Sequence, residues 1–152
     1  MAIKTGFRVP DGLLLAYPAL DLEIDRFTPS FLQAIEDQLL PYSVLKLCLK
    51  AYVPDGASTS KDCFISPLRA PDDFLKLLPP TRIVVGTRDP LHDECWRFAD
   101  RMRELGKDMS MIVYKELPHA FLSFDVPMGM PEAKECINDS VKIFKELFAK
   151  AK

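Results

Sequence analysis

Glycine is scarce in this chain, with six in 152 residues, and no two of the six bracket a serine. That excludes a glycine-flanked nucleophile elbow, in which a serine is held on a sharp strand-to-helix turn, and no His-Gly-Gly-Gly run is there to form an oxyanion loop. A phosphate-cradling glycine loop after the first strand is also missing, which argues against a flavodoxin-like ligand module. Only two histidines occur, His92 and His119. No apolar run approaches the roughly 20 residues of a membrane-spanning helix, and no amino-terminal stretch reads as a signal peptide, so the cytosol is the expected compartment. The net charge is −2 with no basic run interleaved with aromatics, which argues against a nucleic-acid partner. The four cysteines, Cys48, Cys63, Cys95 and Cys136, lack close pair spacing and are expected as small buried hydrophobes rather than disulfides. The Asn138-Asp139-Ser140 sequon falls in a predicted helix and reads as accidental.

What remains is an ordinary globular composition, 48% hydrophobic, with length for one domain and a substantial core. Its most organised stretch is residues 81–124. Arg82 to Gly86 is a short β-branched run of the kind that forms a strand buried on both faces, and Asp89 follows it directly. Met111 to Tyr114 has the same character, and Leu117-Pro118-His119 comes just after its end. Between them Cys95, Phe98, Ala99, Met102 and Leu105 recur at helical spacing, with Asp93 expected to cap the helix and Gly106 to end it. A strand, helix and strand in that order cross over into parallel neighbours, which puts both strand ends on one edge of the sheet. Strands lie roughly 4.8 Å apart, so loops leaving that edge can join Asp89 to His119 across thirty residues of sequence. The pair suits an orienting acid and a general base, placed where open α/β sheets bind ligands.

The flanking sequence supplies the rest of a domain. Ala2-Ile3-Lys4 reads as the last turn of a helix ended by Gly6, and Leu13 to Tyr17 as another buried strand. Thr28-Pro29 is expected to start a helix carrying Phe31, Leu32, Ile35 and Leu39 on one face. A second helix, from about Ser43 to Tyr52, gathers Val44, Leu45, Cys48, Leu49 and Tyr52. A short helix spans Asp72 to Leu78, and a long one runs from about Pro131 to Ala149 with Ile137, Val141, Phe144 and Phe148 as its predicted buried stripe. His92, Asp93 and Glu94 have no zinc or calcium ligand spacing and read as an acidic first helical turn; no metal or cofactor is expected. Trp96 lies off the apolar stripe of its helix. Ser66, Ser110 and Ser123 lie on no strand-to-helix elbow and are rejected as nucleophiles.

Asp89-Pro90-Leu91 with Asp93-Glu94, and Leu117-Pro118-His119-Ala120-Phe121, resemble the acid and histidine motifs of the hormone-sensitive lipase family of α/β-hydrolases. So do Ser66-Pro67-Leu68 with Ala70-Pro71, Leu77-Leu78-Pro79-Pro80, Val9-Pro10-Asp11-Gly12 and Ala16-Tyr17-Pro18-Ala19, and the likeness covers nearly the whole chain. Ala120 departs from it, since the family usually has glycine beside the histidine. The resemblance implies a partial α/β-hydrolase fold: C-terminal parallel strands with flanking helices, in a single unit 1–152 with a helical cap insertion at about 21–70. It implies Asp89 and His119 as the catalytic acid and base of a carboxylic-ester hydrolase acting on acylglycerols or related lipid esters, with association at a lipid-droplet surface. The fold's order of serine, acid and histidine leaves the serine unaccounted for. The chain is therefore expected to be the C-terminal segment of a longer enzyme, its start methionine internal, and inactive alone. Beside that stands a truncated α/β module that folds or binds a partner without catalysing anything.

Overall fold

Three parallel strands in chain order make the sheet of this computed structural model, which describes residues 2–23, 27–37, 39–124 and 129–150. Strand β1 (Leu13–Ala16) pairs with β2 (Thr81–Gly86), setting Leu13 opposite Thr81 and Ala16 opposite Val84. Strand β3 (Met109–Tyr114) lies on the other side of β2, with Thr81 opposite Met109 and Gly86 opposite Tyr114. The central strand is buried at every residue, as the apolar run Ile83-Val84-Val85 requires, and the buried Arg82 is paired with Asp108 at 2.8 Å.

Alternation along β2 divides the core in two. Ile83 and Val85 face the helix α5 (His92–Glu104), meeting Cys95, Phe98, Ala99 and Met102 with Leu20, Leu68 and Leu75. Val84 faces the opposite side, where Tyr114, Leu117 and Phe121 meet the final helix α6 (Pro131–Lys150). The sheet is thus sandwiched, and loops from the carboxyl ends of all three strands share one edge. The short helix α1 (Ala2–Thr5) ends at Gly6, whose φ of 71° is the left-handed conformation expected of a terminating glycine.

The stripe predicted for α6 is corrected by the structure. Its buried residues are Ala133, Cys136, Ile143 and Leu147, whereas Val141, Phe144 and Phe148 are 47%, 47% and 71% exposed. Both sets recur at helical spacing. The set that is buried carries two small side chains, and these let the helix approach Phe121 and the sheet closely, which the larger aromatics could not.

The segment between β1 and β2 also differs from expectation. Helix α2 is only Pro29–Gln33, capped by the Thr28 hydroxyl, which accepts from the Phe31 N–H. Phe31 is buried, but Leu32, Ile35 and Leu39 are exposed, and Leu39 lies beyond the helix. The Asp37 carboxylate accepts the N–H groups of Leu39 and Leu40, both at 2.8 Å, and this local turn replaces further helix. Helix α3 (Tyr42–Tyr52) buries only Leu45; Val44, Cys48 and Tyr52 are exposed. The two ends of the segment return to one place. Arg69 holds the Asp21 carboxylate through two nitrogens at 3.3 and 2.7 Å, and the Leu68 N–H donates to the Leu20 carbonyl. Helix α4 is shorter than expected, Asp72–Leu75. No helix among the described residues is long and apolar enough to cross a membrane.

Candidate active site

Asp89 and His119 meet at the carboxyl edge, as their positions after β2 and β3 predict. The Nδ1 atom of His119 lies 3.0 Å from Oδ2 of Asp89, whose side chain is completely buried while the imidazole keeps 21% of its surface in solvent. A buried carboxylate needs its lone pairs used. The second oxygen, Oδ1, accepts the Leu91 N–H at 2.8 Å, which fixes the plane of the carboxylate toward the ring. With Nδ1–H donated to Asp89, Nε2 is left as the acceptor, the tautomer a general base requires.

Two loops must be clasped to make this pair. Arg88 N–H donates to the Leu117 carbonyl at 3.0 Å, Glu116 N–H donates to the Thr87 hydroxyl at 2.8 Å, and the Arg88 guanidinium holds Glu116. The approach is possible because β2 ends in Gly86. A Cβ built there would stand 2.0 Å from the Leu117 oxygen, inside any tolerable contact. Among the described residues, the non-glycine positions with positive φ are Tyr17, Glu116 and Ala120, and all three flank His119. Ala120, at φ 59°, occupies a conformation that favours glycine, which accounts physically for the glycine usual at that place in the resembled family.

Asp93 does not cap α5, since the helix starts at His92 with Leu91 before it. Instead Asp93 Oδ2 accepts the Ser30 N–H at 2.9 Å, while the Ser30 hydroxyl donates to the Pro90 carbonyl at 3.0 Å and accepts from the Asp93 N–H. The 21–70 segment is therefore bonded directly to the loop that carries Asp89, and Leu91 joins Phe31 and Leu45 in a small core of their own. Of the serines rejected as nucleophiles, Ser66 is fully buried, donating to Thr59 and accepting from Leu22. Trp96 is half exposed, with the Arg103 guanidinium over its ring.

Glu94, expected as an ordinary first-turn acid, is nearly buried and accepts the Leu20 N–H at 2.7 Å. Burial pushes its carboxyl up to about 8; the backbone N–H groups of Leu20 and Asp21 pull it back, and the nearby Asp21 and Asp89 charges add to the rise. Its place was readable from spacing, because Glu94 stands four residues before Phe98 and eight before Met102, on the buried face. The Ser30 clasp and the approach at Gly86 had no such signal.

A family profile described as the alpha/beta hydrolase fold matches residues 1–123. Over 63 residues the chain is 49% identical to hormone-sensitive lipase of Ictidomys tridecemlineatus, a match covering 41% of this chain and 8% of that protein. An esterase of Acinetobacter venetianus is 31% identical over 131 residues, 86% of this chain and 41% of the esterase. The crystal structure of a carboxyl esterase from the mycorrhizal fungus Tuber melanosporum superposes with a TM-score of 0.87 at 29% identity, covering 96% of this chain and 47% of that one. The chain thus spans less than half the length of each of these proteins and holds a corresponding part of the fold. It belongs to the α/β-hydrolase fold family and is similar, over 63 residues, to hormone-sensitive lipase.

Proposed function

We propose that this chain supplies the catalytic acid, Asp89, and base, His119, of a carboxylic-ester hydrolase whose serine and oxyanion donors come from a preceding segment. The observation that carries this reading is the 3.0 Å contact between His119 Nδ1 and the buried Asp89 carboxylate. In the assembled site, His119 Nε2 takes the proton of the serine hydroxyl as its oxygen attacks the ester carbonyl, and then returns it to the departing alcohol. The imidazole next takes a proton from the water that attacks the acyl-serine and passes it to the departing serine oxygen, which frees the acid and restores the enzyme. Asp89 stabilises the imidazolium formed in each half. Acylglycerols or related lipid esters are the substrate class we infer. The apolar side of α3, with Leu45, Cys48, Leu49 and Tyr52, lines an open cleft of about 400 Å³ together with Phe64 and Ile65, which supports a role for the 21–70 segment as a cap over an acyl chain. Cytoplasmic residence and contact with a lipid-droplet surface belong to the same reading.

A second reading, a truncated module without catalysis, rests on the lack of any glycine-bracketed serine. Nucleophile loss costs on the order of 10⁶ in turnover, and loss of the acid alone on the order of 10⁴. The purified 152-residue chain should therefore hydrolyse a short-chain nitrophenyl ester no faster than its His119→Ala variant and resist a fluorophosphonate probe. Joined to a serine-bearing amino-terminal half, it should gain activity that Asp89→Asn or His119→Ala nearly abolishes without unfolding the protein. Stoichiometric probe labelling of the chain alone would overturn the account, and so would indifference of the joined enzyme to His119→Ala.

A further inference from the structure

The imidazole of His119 has a second neighbour besides Asp89. Tyr17, the residue that follows β1, presents its ring to His119 with centroids 4.9 Å apart and planes at 62°, and to Phe121 at 5.5 Å and 68°. Its backbone has left the strand with φ 38°, although its N–H still donates to the Val84 carbonyl at 2.7 Å. A tyrosine in that region is strained and persists only where its surroundings over-determine it. Here they do. Cys95 Sγ reaches the Pro18 carbonyl, Glu94 takes the Leu20 N–H, and the Tyr17 ring packs against both core clusters. The chain bends sharply at Tyr17, and the outcome of the bend is an aromatic wall against the ring that must not rotate.

We propose that Tyr17 is a positioning residue for His119, its ring holding the imidazole in the plane that keeps Nδ1 on Asp89 and turns Nε2 outward. This rests on the reading of His119 as the general base. A hydrogen bond to one carboxylate oxygen leaves the imidazole free to rock about that bond. Edge contact with a ring packed on Phe121 removes that freedom, and aromatic pairs prefer such tilted geometry over a face-to-face stack. The role therefore belongs to the ring, and Tyr17→Phe should preserve it. In Tyr17→Leu an apolar side chain of lesser width cannot supply the same wall.

The test is made by nuclear magnetic resonance on the labelled full chain. Wild-type protein should show cross-relaxation between the Tyr17 ring protons and the carbon-bound protons of His119, a single Nδ1–H tautomer, and slow exchange of that proton with water. Tyr17→Phe should keep all three. Tyr17→Leu should exchange the proton about tenfold faster and mix the tautomers, the factor that loss of one aromatic pair gives at the upper end of its range. Absence of the ring-to-ring signal in the wild type overturns the proposal. So does a folded Tyr17→Leu with unchanged tautomer and exchange. Should Tyr17→Leu not fold, the decision passes to Tyr17→Phe: retention of all three signatures supports a ring-borne role, and their loss overturns it. None of these readouts needs a serine, so they stand apart from the labelling and activity tests that judge the hydrolase reading itself.

Discussion

The unit β2–α5–β3 and the segment 21–70 are held by different means. In the first, Ile83, Val84, Val85, Cys95, Ala99 and Met102 are all completely buried, and β2 is buried at every residue. In the second, α3 buries one residue, Leu45, and Leu32, Ile35, Leu47 and Tyr52 stand in solvent. That segment is fastened at a few points instead, Ser30 to Pro90 and Asp93 and the Arg101 guanidinium to the Leu68 and Ala70 carbonyls, while Arg69 to Asp21 and Leu22 N–H to Ser66 close its two ends on each other. Continuous burial builds a platform that holds a carboxylate and an imidazole in register. Point attachment leaves the apolar side chains of the 21–70 segment available.

The sharpest way to break this comparison is to place the same methyl group in each region. Gly86→Ala puts a carbon 2.0 Å from the Leu117 carbonyl, and neither the β2 backbone nor the histidine loop can retreat without losing the 3.0 Å bond from Arg88 N–H. We expect a loss of about 3 kcal/mol or more in urea denaturation, the upper range for overpacking, together with separation of His119 from Asp89. Gly56→Ala meets nothing within 4 Å, and its φ of 80° leaves only the left-handed conformational cost of about 1–2 kcal/mol. Equal losses at the two sites would remove the distinction between the continuously buried unit and the segment attached at points.

The same division marks where the sequence was legible. Residues 81–114 announced themselves, because a parallel strand buried on both faces has an unbroken β-branched run and its partner helix a single apolar stripe. From those two periods the meeting of Asp89 and His119 followed by topology alone. Helix α6 misled because it carries two apolar stripes, and period cannot say which of them faces the sheet. In the 21–70 segment the stripe of α2 was cut short by a side-chain turn at Asp37, a competition between local bonds that periodicity does not register. The contacts completing the site, at Tyr17, Ser30 and Gly86, join residues from distant parts of the chain. Only the fold brings them together.

The seam between the regions gives a pH-dependent test of middle size. Glu94 is raised from its ordinary range to about 8 by burial, so the folded protein holds a proton that the unfolded chain has released. Between about pH 4.5 and pH 8 the folded state binds more protons than the unfolded one, and stability must fall as pH rises through that window. Glu94→Gln cannot ionise, and its amide oxygen can still accept the Leu20 N–H. Denaturation at pH 5, 6.5 and 8 should show the variant free of this decline, with a relative gain on the order of a few kcal/mol at pH 8. Parallel profiles for the two proteins would mean that Glu94 is ionised in the fold across this range and stabilised by its backbone donors.

The smallest effect is expected where sequence reading placed a core and the structure placed solvent. Leu147 and Phe148 are neighbours on α6, yet Leu147 is 5% exposed and lies against Gly12, while Phe148 is 71% exposed and touches mainly the ring of Phe144 at a centroid distance of 6.4 Å. Truncating Leu147 to alanine removes buried methyl groups and leaves a cavity, at a cost of about 2–5 kcal/mol. Truncating Phe148 empties no space inside the protein, and surface substitutions of that kind ordinarily stay within about 0.5 kcal/mol. Urea midpoints of Leu147→Ala and Phe148→Ala, taken at low protein concentration, should therefore differ widely although the substitutions are one residue apart. A Phe148→Ala loss comparable with that of Leu147→Ala would mean that this face is covered in solution. Repeating the measurement across a concentration series would then reveal whether a second copy covers it, because stability borrowed from association rises with concentration and stability within one chain does not.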